Sequence, residues 1–248
     1  MLNKIIELGY SKRETEELIK VSKNIDEDYN KLLKGYPIQY LIGYVNFYGN
    51  QINVNENVLI PRYETEYLVE KTINYIDKYF DRRVSILDIG TGSGCIAITL
   101  KKEIDSDVTA TDISVEALKV AKNNAVINNV NIEFIKSDIF NNINNKYDVI
   151  ISNPPYIDVS EKIMDSVKKY EPHTALYAKD NGLYFYEEIL KNAKDYLKEK
   201  SIIAFEIGWW QGNLIKNIAE KYFNNSKIEI EKDLSGKDRY IFIFNNCE

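Results

Sequence analysis

The chain has few of the residues from which nucleophilic and metal sites are usually built. Among 248 residues there is one histidine, His173, and there are two cysteines, Cys95 and Cys247. Neither cysteine stands in a Cys-x-x-Cys or other metal-ligand spacing, so no metal site is expected and both read as free thiols of a reducing cytosol. His173 reads as a residue that fills its loop. No apolar run approaches the roughly 18 residues that a membrane helix needs. The opening MLNKIIELGYSKRETEEL carries charge too early and too densely for a signal peptide, so a cytoplasmic location is expected. Positive charge is also in short supply. The net charge is -6 with 28% charged residues, whereas a strong duplex binder shows a basic face. An acidic chain repels phosphate on average, so stable nucleic-acid binding is not expected. Repeats and low-complexity linkers are absent.

What remains is an ordinary globular composition, 44% hydrophobic, long enough for one large α/β domain with a small appendage. Residues 1–36 read as a short helical region. Ser11 and Glu14 have capping-box spacing, Leu18 and Ile19 follow at helical offsets, and Gly35 stops a second helix after Leu32 and Leu33. Residues 37–63 read as a β-hairpin linker, with strands Tyr44–Tyr48 and Gln51–Val54 joined by a Gly49-Asn50 turn and Pro61 closing the segment. Residues 64–248 form the main domain. A helix over Glu64–Phe80 precedes strands Val84–Ile89, Val108–Thr111, Ile132–Lys136 and Tyr147–Ser152, with helices Gly94–Lys102 and Ser114–Asn128 between them. After Asn181 come a helix Leu183–Leu197, a strand Ser201–Ile207, a helix Leu214–Tyr222 and strands Lys227–Glu231 and Arg239–Phe244. Such alternation predicts a mostly parallel Rossmann-like sheet covered on both faces. The closing pair, with no helix between its members, predicts an antiparallel last strand. That ending typifies class I S-adenosylmethionine-dependent methyltransferases more than dehydrogenases.

Leu87-Asp88-Ile89-Gly90-Thr91-Gly92-Ser93-Gly94 lies between a buried strand and a helix. Glycines there permit a tight turn and close approach of a ligand to the backbone. The dinucleotide fingerprint would need glycine at position 95, where Cys95 stands, and no P-loop lysine follows, so NAD and nucleoside triphosphates fit poorly. Asp112, at the next strand end, has the spacing of a carboxylate that meets ribose hydroxyls. At the strand end after that, Asp138 is placed to accept from an adenine amine and Ile139 to pack on its ring. Three such sites at consecutive strand ends form a ligand crevice, expected to hold S-adenosylmethionine through Gly90, Thr91, Gly92, Ser93, Gly94, Asp112, Asp138, Ile139 and Asn153.

The strand Tyr147–Ser152 runs into Asn153-Pro154-Pro155-Tyr156. Two prolines fix the backbone, so the carbonyls point in set directions. The Asn153 side-chain oxygen and the Pro154 carbonyl can each accept one N–H of a planar NH2 group, while Tyr156 lies against the flat substrate. Two acceptors on those hydrogens favour positive charge building on the nitrogen, and the proton can leave after transfer. Asn153, Pro154 and Tyr156 are therefore the expected catalytic group. The tetrapeptide specifies the nitrogen and not the molecule that bears it: adenine N6, in DNA or RNA, is the alternative to a glutamine amide.

Further segments carry a resemblance. Pro37-Ile38-Gln39-Tyr40-Leu41-Ile42-Gly43, Val58-Leu59-Ile60-Pro61-Arg62-Tyr63-Glu64-Thr65-Glu66, Glu171-Pro172 with Ala175-Leu176, Asn181-Gly182-Leu183, Phe205-Glu206-Ile207-Gly208 with Gln211-Gly212, and Asp233-Leu234-Ser235-Gly236 with Asp238-Arg239 occur in this order. In these the chain resembles, from Pro37 to Tyr240, the HemK/PrmC family of peptide chain release factor N5-glutamine methyltransferases. The resemblance implies a glutamine substrate in the Gly-Gly-Gln loop of class I release factors, held by Asn153, Pro154, Pro155 and Tyr156. Arg62 is placed with the substrate-binding residues, internal pairing with Glu64 and Glu66 being its other role. Tyr63 stands where the family has proline, and Ile139 where some members have an aromatic residue. The region before Pro37 is shorter than the family's N-terminal domain, so weaker or rearranged partner engagement is expected. Trp209 and Trp210 read as core or surface contacts, Lys198–Lys200 as a solvated helix end, and the protein as a monomer.

Overall fold

Local sequence sets the first elements. In this computed structural model, which describes residues 1–247, four short helices open the chain: α1 (Leu2–Ile6), α2 (Lys12–Val21), α3 (Ile25–Leu33) and α4 (Ile38–Ile42). The capping box forms at α2, where the Ser11 hydroxyl accepts the Glu14 amide and the Glu14 carboxylate accepts the Ser11 amide. Two orphan donors of the first turn are thereby satisfied. The helices close on their own small core of Ile5, Leu18, Leu32, Ile38 and Ile42.

β1 (Tyr44–Phe47) and β2 (Asn50–Asn53) form the predicted hairpin, but the turn is Tyr48-Gly49, one residue earlier than expected. Both turn residues have positive φ, 48° and 78°, as the tight turns that match strand twist require. Asn50 is drawn into the strand because its side chain is buried, donating to Thr99 Oγ1 at 3.2 Å and accepting from Lys102 Nζ at 2.7 Å.

The main domain continues with α5 (Tyr63–Tyr79), β3 (Val84–Ile89), α6 (Cys95–Glu103), β4 (Ser106–Asp112), α7 (Val115–Ile127), β5 (Glu133–Lys136) and β6 (Tyr147–Ser152). Between Asn153 and Asn181, where the sequence reading assigns no element, lie β7 (Ile157–Asp158), α8 (Asp165–Tyr170), α9 (His173–Leu176) and β8 (Tyr177–Ala178), with β7 parallel to β8. Then come α10 (Tyr184–Asn192), a 3-10 turn over Ala193–Tyr196, β9 (Leu197–Glu206), α11 (Gly212–Tyr222), β10 (Lys227–Lys232) and β11 (Asp238–Asn245). β9 starts at Leu197 instead of Ser201, so Lys198–Lys200 belong to a strand and not to a helix end.

Seven strands form one sheet in the order β10-β11-β9-β6-β3-β4-β5. The five from β9 to β5 are parallel, and β11 inserts antiparallel between β9 and β10, as the sequence predicts. Alternation sorts the strand residues to two faces. Ile86, Val149, Ile202 and Phe242 meet Leu68 and Ile98 on one side. Leu87, Ile150, Ile203 and Ile241 meet Ile189 and Ile215 on the other. Burial on both faces explains why β3 and β6 read as continuous apolar runs. At the amino end of β6, Asp148 is fully buried. Burial opposes its charge, but Arg82 at 2.6 Å, Lys198 at 2.8 Å and the Ser85 amide and hydroxyl outweigh that and pull it to about 2. Among the described residues no helix is long and apolar enough to cross a membrane.

The chain runs outward through β4 and β5 and returns to β6 on the other side of β3. The carboxyl ends of β3 and β6 thus bound the crevice where open α/β sheets take ligands. One buried side chain fixes the hairpin beside it. Asn124 of α7 donates to the Asn53 and Ser93 carbonyls, each at 2.9 Å, and accepts the Asn53 amide at 2.8 Å. Asn124→Ala removes all three partners at once and is expected to cost about 3 kcal/mol of unfolding free energy. Urea denaturation checks this, and a loss below about 1 kcal/mol would contradict the assignment of the lock.

Candidate active site

β3 delivers Asp88 to a fully buried position. Thr91 Oγ1 donates to its Oδ2 at 2.6 Å, and its Oδ1 is the one buried side-chain polar atom without a partner among the described residues. Burial first, and the neighbouring Asp112 charge second, push this carboxyl up to about 7. The chain then turns through Gly90 and Gly92 at φ 72° and 54°. No atom lies within 4 Å of a Cβ built at either position, so the backbone conformation, and not crowding, calls for glycine there. Gly94, also left-handed at φ 84°, adds crowding: its Cβ would stand 3.1 Å from the Ala121 Cβ, so it serves the packing of α6 on α7 as well. At the end of β4, Asp112 accepts the Gly92 amide at 2.9 Å and the Ser114 amide at 2.8 Å. Burial raises its carboxyl above the usual range, and these amides oppose the shift.

Gly90, Gly92 and Asp112 open onto a cavity of about 370 Å³, a size suited to a small-molecule ligand. Of the predicted cofactor residues, Gly90, Gly92, Asp112, Asp138, Ile139 and Asn153 line it, as do Pro154 and Pro155. Bare glycine backbone, a carboxylate held by amides and apolar walls suit a ribose-bearing, partly apolar cofactor. Thr91, Ser93 and Gly94 do not line the cavity: the Thr91 hydroxyl is spent on Asp88, and the Ser93 carbonyl on Asn124. Val58, from a segment the sequence points to, lines it too, as do Ile113, Thr174, Tyr184 and Phe185, to which the sequence does not point. Ile113 had a readable signal, an apolar residue directly after Asp112 where the strand ends, and the structure leaves it 55% exposed.

The Asn-Pro-Pro-Tyr segment is held from several directions. Ser152 Oγ donates to the Ile89 carbonyl at 2.7 Å, joining the ends of β6 and β3. Asn153 Nδ2 donates to Thr65 Oγ1 at 3.2 Å, and Thr65 Oγ1 donates to Glu206 Oε2 at 2.6 Å. The buried Gln211 accepts the Gly208 amide at 2.9 Å and donates to the Tyr156 carbonyl at 3.1 Å. Gly182, at φ 79°, packs so tightly on that carbonyl that a Cβ would overlap its oxygen. The Tyr156 ring packs with the α10 and α11 core and does not line the cavity. Arg62 pairs with Glu171 at 2.5 Å, not with Glu64 or Glu66, and Glu171 also accepts the Ile60 amide at 3.1 Å. Arg62 is thus off the cavity wall and ties down the residue that precedes Pro172, Thr174 and Ala175, which are on it. His173 hydrogen-bonds the Lys168 carbonyl at 2.8 Å, and Trp209 is exposed beneath Lys237.

Two outcomes follow from this geometry. A carboxyl raised in the folded state disfavours folding as pH climbs from its unfolded value, near 4, to its folded value, about 7. Asp88→Asn is therefore expected to raise the melting temperature of the ligand-free protein at pH 8 and to give a smaller gain at pH 5. An equal shift at both values would show that Asp88 carries no such penalty. Gly182→Ala is expected to cost about 2 kcal/mol or more from strain and overlap. It should also impair turnover by displacing Tyr156, and calorimetry with an activity assay checks both effects.

The pattern of the methyltransferase small domain matches residues 67–185. A release factor glutamine methyltransferase of Streptococcus pneumoniae is 43% identical over 223 residues, covering 88% of this chain and 78% of that protein. The one from Lactococcus lactis is 42% identical, covering 89% and 82%. Among solved structures, a release-factor-specific protein-(glutamine-N5) methyltransferase from Alicyclobacillus acidocaldarius superposes with a TM-score of 0.50 at 25% identity, over 75% of this chain and 94% of that one. A methyltransferase from Pyrococcus furiosus, at 21% identity and a TM-score of 0.59 over 88% and 95%, shares the fold. With this cavity, this sheet and relatives of this similarity over most of both chains, the protein belongs to the release factor glutamine methyltransferase family.

Proposed function

We propose that the protein transfers a methyl group from S-adenosylmethionine to the side-chain amide nitrogen (N5) of the glutamine in the Gly-Gly-Gln loop of a class I release factor, acting as a cytoplasmic monomer. The observation that carries this reading is that Asn153, Pro154 and Pro155 line the same cavity as Gly90, Gly92 and Asp112. S-adenosylmethionine supplies a methyl group on a sulfonium, open to in-line displacement. The backbone at Gly90 and Gly92 leaves room for the cofactor, and Asp112 would accept from its ribose hydroxyls. Asp138 would accept from the adenine amine, with Ile113 and Ile139 as the apolar walls for its ring.

Asn153 Oδ1 and the Pro154 carbonyl accept the two N–H bonds of the glutamine amide. An amide nitrogen is a poor nucleophile because its lone pair is delocalised. Two fixed acceptors stabilise the positive charge that grows on it as the methyl arrives, without a base to remove a proton first. Pro155 and the anchored Tyr156 backbone keep those acceptors in place. Arg62 contributes through Glu171, by fixing the segment that carries Pro172 and Thr174.

The test is transfer of labelled methyl groups to a purified class I release factor, either intact or with its Gly-Gly-Gln glutamine replaced by alanine. Label is expected only in the intact factor. Asn153→Ala is expected to lower kcat about 10²–10³-fold. Label in the alanine factor, or label in nucleic acid with none in the factor, contradicts the proposal.

A further inference from the structure

The amide of Asn153 has two ends of similar shape and opposite chemistry, and only the oxygen can accept an N–H from a substrate amide. A flip would put a donor in its place. The surrounding hydrogens decide between the two orientations. Thr65 Oγ1 contacts Glu206 Oε2 at 2.6 Å and Asn153 Nδ2 at 3.2 Å. Thr65 and Glu206 are 3% and 2% exposed, so water does not compete. A hydroxyl has one hydrogen and a carboxylate can only accept. With Glu206 ionised, the Thr65 hydrogen is committed to Glu206, and Thr65 offers Asn153 only a lone pair. Asn153 must then turn its NH2 to Thr65, which leaves Oδ1 as the end available to the cavity.

We propose that Thr65 and Glu206 are positioning residues that set the orientation of the Asn153 amide, so that the substrate glutamine meets an acceptor and not a donor. The proposal rests on the methyl-transfer reading above and adds to it the device that orients Asn153.

The same chain of hydrogens makes the site sensitive to pH. Burial, with the Glu64 charge behind it, raises the Glu206 carboxyl to about 7, against the lowering effects of the Thr65 hydroxyl, the Arg239 charge and the Asn153 amide, whose NH2 faces the same carboxylate. The groups that face it are Arg239 and Tyr240 of β11, Glu64 in the first turn of α5, Cys95 of α6, Tyr156 after β6, and Tyr186 of α10. Burial raises all three tyrosines above their usual range and pushes the Cys95 thiol up to about 12. Arg239 keeps its charge, held by Asp233 at 3.4 Å and the Ile207 carbonyl at 3.2 Å. Once protonated, Glu206 donates to the Thr65 oxygen, the Thr65 hydroxyl turns to donate a hydrogen bond to Asn153 Oδ1, and the Asn153 NH2 turns to the substrate. Turnover therefore falls as pH drops through about 7.

The experiment compares the kcat profile of the unaltered protein from pH 6 to 8 with those of Thr65→Val, Thr65→Ser and Glu206→Gln. The unaltered enzyme is expected to lose about tenfold in kcat from pH 8 to 6, the change in ionised fraction across one titration. Thr65→Val should lower kcat at pH 8 roughly 10–100-fold, flatten the profile and leave KM for S-adenosylmethionine within about threefold. Thr65→Ser should restore both rate and profile, and Glu206→Gln, which gains no proton, should be flat. Wild-type kcat and profile in Thr65→Val, or a retained acid fall in Glu206→Gln, would overturn the proposal. A readout without substrate is the nitrogen-edited NMR signal of the Asn153 side chain in the S-adenosylhomocysteine complex, assigned by its loss in Asn153→Asp. It should titrate near 7 and cease to do so in Thr65→Val. A signal indifferent to pH and to Thr65 overturns the proposal even when the release factor is labelled. The expected titration in an enzyme that labels no release factor supports it and removes only the substrate assignment.

Discussion

Ser152, the last residue of β6, gives its hydroxyl to the carbonyl of Ile89, the last residue of β3, at 2.7 Å in a fully buried setting. The strands are parallel and in register there, Ile89 opposite Ser152. From these two adjoining ends the chain leaves as the glycine loop and as the Asn-Pro-Pro segment. Everything that the site does depends on those departures being side by side. One hydrogen bond of this kind contributes on the order of 1 kcal/mol, so its importance is geometric. A register shift of a single residue would turn the Asn153 side chain to the opposite face of the sheet.

Three buried carboxylates show how the fold divides stability from function. Asp148, at the amino end of β6, has two cations and a serine around it and is pulled down to about 2. It favours folding above the ordinary carboxylate range. Asp88 and Glu206, at the carboxyl ends of their strands, are equally buried, but each receives one threonine hydroxyl at 2.6 Å and is pushed up to about 7. Both disfavour folding at neutral pH. Perturbed groups of this sort gather where chemistry requires them; here Asp88 adjoins Ile89, and Glu206 connects through Thr65 to Asn153, and Ile89 and Asn153 both line the cavity, while the compensated one is at the far end of the sheet.

Much of this was legible in the sequence, and what was not has identifiable causes. β3 and β6 read with their true ends because strands buried on both faces leave unbroken apolar runs. The glycine loop, Asp112 and Asn153 read correctly as strand-end residues because each follows such a run or its neighbour. The hairpin turn was misplaced by one residue, since Gly-Asn is a good local turn and the contacts of Asn50 with Thr99 and Lys102 are not local. The short elements between Asn153 and Asn181 have no periodicity to detect. Long-range side chains hold the region, with Glu171 reaching Arg62 and Gln211 reaching Tyr156. Thr65 and Glu206 were visible only as members of separate matching segments, 141 positions apart, so the hydrogen that connects them to Asn153 appears only in three dimensions.

The central claim is that Asn153 and Pro154 accept the two hydrogens of one glutamine amide beside the bound cofactor. The most direct measurement is a crystal structure of the protein with S-adenosylhomocysteine and a peptide carrying the Gly-Gly-Gln loop. The account predicts the glutamine amide nitrogen at about 3 Å from both Asn153 Oδ1 and the Pro154 carbonyl oxygen, with its free face toward the sulfur. A glutamine side chain outside the cavity, or an Asn153 turned so that its Oδ1 meets Thr65, would contradict it.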